Sequence, residues 1–166
     1  MGEGMRSITS SRFGSLSTDE NELIVFEHGL LGMPNEREFL LIKHREASVI
    51  HWLQSARTPD FALPLVPAHL LAMDYPEQPL TTLAALADVP DPLDQIALLV
   101  VACFDGGVPT VNLVAPIVVG TESRRAAQVV VPRGCYGVRE PFELWAPGTT
   151  SARPQMLPEQ RGESCL

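Results

Sequence analysis

The sequence predicts an all-β domain, either a sandwich or a small closed barrel, with one short helical patch. Three observations predict it. Apolar runs are short, β-branched or aromatic, and bounded by Gly, Pro and Asp turn signals. Only one stretch repeats apolar residues at helical spacing. Prolines 76, 79, 90 and 92 divide the one long segment that lacks strand character.

The elements follow in order. Residues 8–13 read as a first strand ended by Gly14, behind a Gly/Ser-rich start. Leu23-Ile24-Val25-Phe26 reads as the next strand, stopped by Glu27-His28-Gly29-Leu30-Leu31-Gly32-Met33-Pro34. Two glycines and a proline there predict a structured loop with positive φ at a glycine. Strands follow over Phe39-Leu40-Leu41-Ile42, over residues 49–55, where Ile50 and Trp52 share a face, and over 61–66, bent by Pro64. Leu80, Leu83, Ala84, Leu86 and Ala87 mark one face of a short helix, with Thr81 or Thr82 as its cap. Residues 96–104 form a continuous apolar run, the signature of a buried strand, and Asp105-Gly106-Gly107 a hairpin turn. The return strand begins near Thr110 and contains Pro116. Proline has no N–H for a ladder, so this strand lies at a sheet edge or carries a bulge. If its edge is open, an incoming strand can pair with it. Residues 120–123 make a turn, 126–131 a last strand, and Pro132-Arg133-Gly134 another turn. Residues 1–7 read as a flexible N-terminus, 8–145 as the folded domain, and the Pro-, Gly- and Ser-rich residues 146–166 as a disordered tail.

A chain of 166 residues is one domain by length, and 45% apolar with 19% charged residues is an ordinary globular composition. The longest apolar run has nine residues, whereas a membrane-crossing helix needs about 20. No apolar signal-peptide core stands at the start, so a cytoplasmic location is expected.

The net charge of −8 is unevenly spread. Residues 58–123 hold eight acids (Asp60, Asp74, Glu77, Asp88, Asp91, Asp94, Asp105 and Glu122) and no Lys or Arg, while the rest balances 12 acids against 12 bases. Direct nucleic-acid binding needs a basic footprint, and this region is the reverse. It is suited to a basic partner, although acids also keep a domain soluble.

Chemical motifs are absent. There is no phosphate loop, no Gly-x-Gly-x-x-Gly and no Gly-x-Ser-x-Gly. His28, His44, His51 and His69 have no partner at metal-ligand spacing. Cys103, Cys135 and Cys165 form neither a disulfide framework nor a zinc pattern. Cys103 reads as a core residue and Cys135 as an exposed thiol. Trp52 reads first as a core anchor and second as an interface hot spot. No catalytic residue, cofactor or metal is expected. A binding protein is the better default, ahead of a hydrolase with an assembled site.

Taken in order, several segments are more specific than any one alone. They are Phe26-Glu27-His28-Gly29-Leu30-Leu31-Gly32-Met33, Trp52-Leu53-Gln54-Ser55, Pro59-Asp60-Phe61-Ala62-Leu63, Asn112-Leu113-Val114-Ala115-Pro116-Ile117-Val118-Val119 and Gln128-Val129-Val130-Val131. The series resembles the flagellar assembly factor FliW family from about Ile8 to Phe142. The resemblance implies a small antiparallel β-barrel-like domain with one or two short helices. It also implies a non-enzymatic cytoplasmic protein that binds flagellin and the RNA-binding translational repressor CsrA, antagonising repression of flagellin mRNA translation. Asp74, Glu77, Asp88 and Asp91 are then the candidate acids for a basic part of CsrA. The alternative is a generic β-barrel interaction module unrelated to flagella.

Overall fold

The computed structural model describes residues 4–131 and 135–144. The expected turn at 132–134 and the tail at 146–166 lie outside them. Among the described residues there are ten strands: β1 (Met5–Ser10), β2 (Gly14–Asp19), β3 (Ile24–Phe26), β4 (Glu38–Lys43), β5 (His51–Ser55), β6 (Ala62–Pro67), β7 (Ile96–Cys103), β8 (Thr110–Gly120), β9 (Arg125–Gln128) and β10 (Glu140–Pro141). One α-helix, α1 (Leu80–Ala87), interrupts the strand sequence between β6 and β7.

Strands β3 to β9 close into a seven-stranded barrel, because β9 pairs with both β8 and β3. Neighbours are antiparallel except β3 and β9, which run parallel. Parity requires this. Seven strands that alternate in direction return to the first with the same sense, so one junction must be parallel.

The interior is packed by alternate residues of these strands: Ile24, Phe26, Phe39, Leu53, Leu65, Leu99, Ile117, Val119 and Ala126. The opposite faces of β6, β7 and β8 are covered as well. Val66, Val100, Ala102 and Val111 pack with Leu71 and Leu113, flanked by Tyr75 and Phe142. Val118 packs with Leu83 and Ala87 of α1. Burial on both faces is why residues 96–104 read as one continuous apolar run.

Several expectations are corrected. The first strand lies at Met5–Ser10 rather than 8–13, and residues 11–13 form the turn of a β1–β2 hairpin. Ser10 Oγ holds that turn by accepting the amides of Arg12 and Phe13, each at 3.1 Å. Helix α1 has Pro79 at its N-cap and no side-chain cap, so neither Thr81 nor Thr82 caps it. Pro79 serves this boundary through its carbonyl, which accepts the amides of Thr82 at 2.9 Å and Leu83 at 3.4 Å. Leu86 is off the buried face, since 3.6 residues per turn aligns Leu83, Ala84 and Ala87 instead.

Pro116 sits in a bulge, not at an open edge. Between Leu99 and Val101 the β7–β8 register slips, so that Leu99 faces Ile117 while Val101 faces Asn112. Residues 113–116 bow away from β7, yet each of their backbone polar groups has a partner. The Asn112 carboxamide accepts the amides of Val114 at 3.0 Å and Ala115 at 3.2 Å. The Leu113 amide donates to Gly137, and its carbonyl accepts from Tyr75 Oη at 2.8 Å. The carbonyls of Val114, Ala115 and Pro116 accept from Val131 N, Gln128 Nε2 and Val129 N. Nothing is left for an incoming strand, so the open-edge expectation fails here.

Candidate interaction surface

Three of the segments that stand out in the sequence meet in space: the Gly29–Gly32 loop, the Pro116 bulge and Gln128 of β9. Gly29 has φ +72°, and a Cβ there would lie 2.6 Å from the Met33 carbonyl oxygen and 2.7 Å from Pro34 backbone atoms. Only glycine fits that approach. Residues 30–33 then turn tightly, with Met33 N–H donating to the Leu30 carbonyl at 2.8 Å and Gly32 at φ +78°. Gln128 of β9 ties this loop to the β8 bulge. Its Oε1 accepts from Leu31 N at 3.2 Å, and its Nε2 donates to the Ala115 carbonyl at 3.1 Å.

Trp52-Leu53-Gln54-Ser55 has a structural task of its own. Leu53 points into the barrel, and Gln54 is completely buried on the other face. Its Nε2 approaches the carbonyls of Ser55, Thr58, Pro59 and Phe61 at 3.1–3.4 Å. Ser55 Oγ accepts the amides of Arg57 and Thr58, and Glu36 accepts the hydroxyls of Ser55 and Thr58 at 2.5 Å each. The loop 55–61 is thereby fastened to the barrel wall.

Trp52 is not a core anchor. It is half-buried outside the barrel, with the Arg12 guanidinium 4.1 Å from its ring centroid and Phe13 edge-on at 6.0 Å. Its Nε1 donates to His44 Nδ1 at 3.2 Å. Strand periodicity puts Trp52 opposite Leu53, and only Leu53 faces inward.

A cleft of about 520 Å³ runs between the Gly29–Gly32 loop, β9 and the C-terminal end of α1. Gly29, Ala126, Ala127 and Val129 line it with small or apolar surface. Leu31 and Leu86 stand exposed on its walls. Neither leucine drew notice as a surface residue in the sequence, where Leu86 merges with the apolar helix pattern.

The four candidate acids separate into different settings. Asp74 and Glu77 are exposed on the segment leading into α1. Asp88 is exposed, lines the cleft, and ends α1 in the left-handed conformation at φ 51°. Asp91 has a local structural task. One of its oxygens accepts the amides of Glu122 and Ser123 at 3.0 Å. Hydrogen bonds from Ser123, side chain first and then amide, hold its carboxyl below the ordinary aspartate value. Burial, with Tyr136 adding to it, pushes the Tyr75 hydroxyl well above the ordinary tyrosine value, so it stays a donor to Leu113.

Cys103 is unpaired and half-buried. Cys135 is disulfide-bonded, which corrects its reading as a thiol. Among the described residues, no group of three or more His, Cys, Asp or Glu is placed to hold a metal ion. Among them also, no helix is long and apolar enough to cross a membrane.

A family model described as FliW protein matches residues 7–142. The chain is 31% identical over 138 residues to the flagellar assembly factor FliW of Syntrophotalea carbinolica, covering 83% of this chain and 99% of the relative. It is 32% identical over 137 residues to the corresponding protein of Bdellovibrio bacteriovorus, covering 81% of this chain and 78% of the relative. A crystal structure of the flagellar assembly factor FliW superposes with a TM-score of 0.70 over 82% of this chain and 96% of that one. At 24% identity it supports the fold alone. The matched region includes the glycine loop, the Gln54 staple and the Pro116 bulge, and on this evidence the chain belongs to the FliW family.

Proposed function

We propose that the protein is a non-enzymatic cytoplasmic assembly factor that binds flagellin and binds the translational regulator CsrA. Binding CsrA relieves its repression of flagellin mRNA translation, and flagellin competes for the free factor. The family membership carries this reading, through a match that runs from residue 7 to residue 142.

The charge distribution supports it. A protein that holds RNA carries basic surface, and residues 58–123 offer acids with no Lys or Arg. Asp74, Glu77 and Asp88 are exposed in that region, and Asp91 lies beside them in sequence. Antagonism away from the RNA surface requires that RNA-loaded CsrA bind this protein more weakly than free CsrA, by reciprocal linkage.

A gel shift of CsrA on the flagellin mRNA leader tests the proposal. Adding the protein releases the RNA, and adding flagellin then restores the shifted complex. RNA that stays bound to CsrA at saturating protein contradicts the reading. Reversing the charges at Asp74, Glu77 and Asp88, with Asp91 kept because it holds the amides of Glu122 and Ser123, weakens the effect, most clearly below 0.1 M salt, where screening extends only beyond about 10 Å.

A further inference from the structure

The cleft beside β9 has features that the fold does not require. Leu31 is 50% exposed on one wall and Leu86 54% exposed on another. The 30–33 turn needs glycine at position 32, where φ is +78°, but makes no demand for leucine at 31. Helix α1 buries Leu83, Ala84 and Ala87, so Leu86 adds nothing to its packing face. Two leucines facing one cleft over a floor of Gly29, Ala126 and Ala127 make a receptor for apolar side chains.

The charge at this cleft is also specific. Asp88 is exposed at the C-terminal end of α1, and the last turn of that helix holds no basic residue. Its carboxylate and the negative end of the helix therefore add rather than cancel. Across the cleft, Glu27 is already neutralised by Arg125. Among the described residues that line the cleft, the acid without a cationic partner is Asp88.

We propose that this cleft seats a short apolar segment of a partner protein that carries a lysine or arginine beside its apolar residues. The apolar side chains enter between Leu31 and Leu86, and the cation meets Asp88. The inference rests on the reading of the chain as a protein-binding factor and adds where a partner docks and what chemistry it presents.

The test measures affinity of the full chain for flagellin and for CsrA, with Leu31→Glu, Leu86→Glu and Asp88→Asn as variants. Leu93→Glu is the control, since Leu93 is 45% exposed but does not line the cleft. Asparagine tolerates the left-handed conformation at 88, so that variant removes charge and keeps the backbone. Each glutamate variant in the cleft is expected to weaken one partner by about tenfold or more. Asp88→Asn weakens the same partner by a smaller factor that shrinks as salt rises, and Leu93→Glu leaves binding unchanged. Melting curves matching the wild type certify that the variants are folded. Wild-type affinity for both partners in both cleft variants overturns the cleft assignment while the binding reading stands. A wild-type chain that binds neither partner removes the reading beneath it, and the assignment with it.

Discussion

Ser10 Oγ donates to Gln54 Oε1 at 2.7 Å, joining two residues 44 positions apart in a buried contact. Ser10 also closes the β1–β2 turn, and Gln54 also holds the loop 55–61. One hydrogen bond thus couples the outer hairpin to the barrel wall. The hairpin is further attached through the Ser11 amide on the Pro59 carbonyl at 3.0 Å, the Ser11 hydroxyl on Asp60, the Arg6–Glu38 ion pair at 2.8 Å, and Arg12 and Phe13 against Trp52.

Replacing Gln54 by leucine leaves the Ser10 hydroxyl and several loop carbonyls without their buried partner. The expected loss is about 1–3 kcal/mol of unfolding free energy, because an unmet buried polar group keeps its full desolvation penalty. Urea titration measures it. A change below about 0.5 kcal/mol, the range of ordinary surface substitutions, contradicts the coupling role.

Gly29 and Gly32 both have positive φ but differ in surroundings. A Cβ on Gly32 or Gly14 meets nothing within 4 Å, whereas on Gly29 it meets backbone of Met33 and Pro34. Gly32→Ala is expected to cost about 1 kcal/mol from conformation alone. Gly29→Ala is expected to cost roughly 3 kcal/mol or more, since backbone must also move. Equal melting temperatures for the two variants contradict this account of the loop.

Asp91 gives a pH-dependent contribution whose sign is fixed. Its folded-state pKa is depressed, so the stability it adds is present above the ordinary aspartate range and is lost as pH falls through the folded value. The wild type is therefore more stable than Asp91→Asn near pH 7. The gap narrows as pH falls below about 4, the unfolded aspartate value, and continues to close through the depressed folded value. A gap that stays constant across this window contradicts the assigned cause.

Trp52 reports on the hairpin. Arg12→Ala removes the guanidinium from its ring face, a contact worth about 0.5–1 kcal/mol at exposed sites. In a Trp145→Phe background, Trp52 emission is expected to shift to longer wavelength as water reaches the ring. Unchanged emission means the stacking does not persist in solution.

These residues show what a local reading of the chain can and cannot reach. The helix expected around Leu80, Leu83, Ala84, Leu86 and Ala87 is found at Leu80–Ala87, with Leu86 off its buried face, and the apolar run at 96–104 becomes Ile96–Cys103, because periodicity is a local signal. The second hairpin strand, Gly14–Asp19, was hidden because Gly-Ser-Leu-Ser-Thr-Asp carries a loop-like composition. Pro116 correctly signalled an irregular strand, but the groups that satisfy the bulge come from Tyr75, Gln128, Val129, Val131 and Gly137. No local pattern identifies partners so distant in sequence. Trp52 was misplaced for a related reason: alternation divides the faces of a strand without saying which one meets the core. The cleft leucines were invisible because an exposed leucine and a buried one look alike in sequence.

The most direct measurement is calorimetric titration of the purified full chain with flagellin and with CsrA, separately and then with both present. The account predicts saturable binding to each partner and altered CsrA binding once flagellin is bound. Heat of dilution alone with both partners would contradict it.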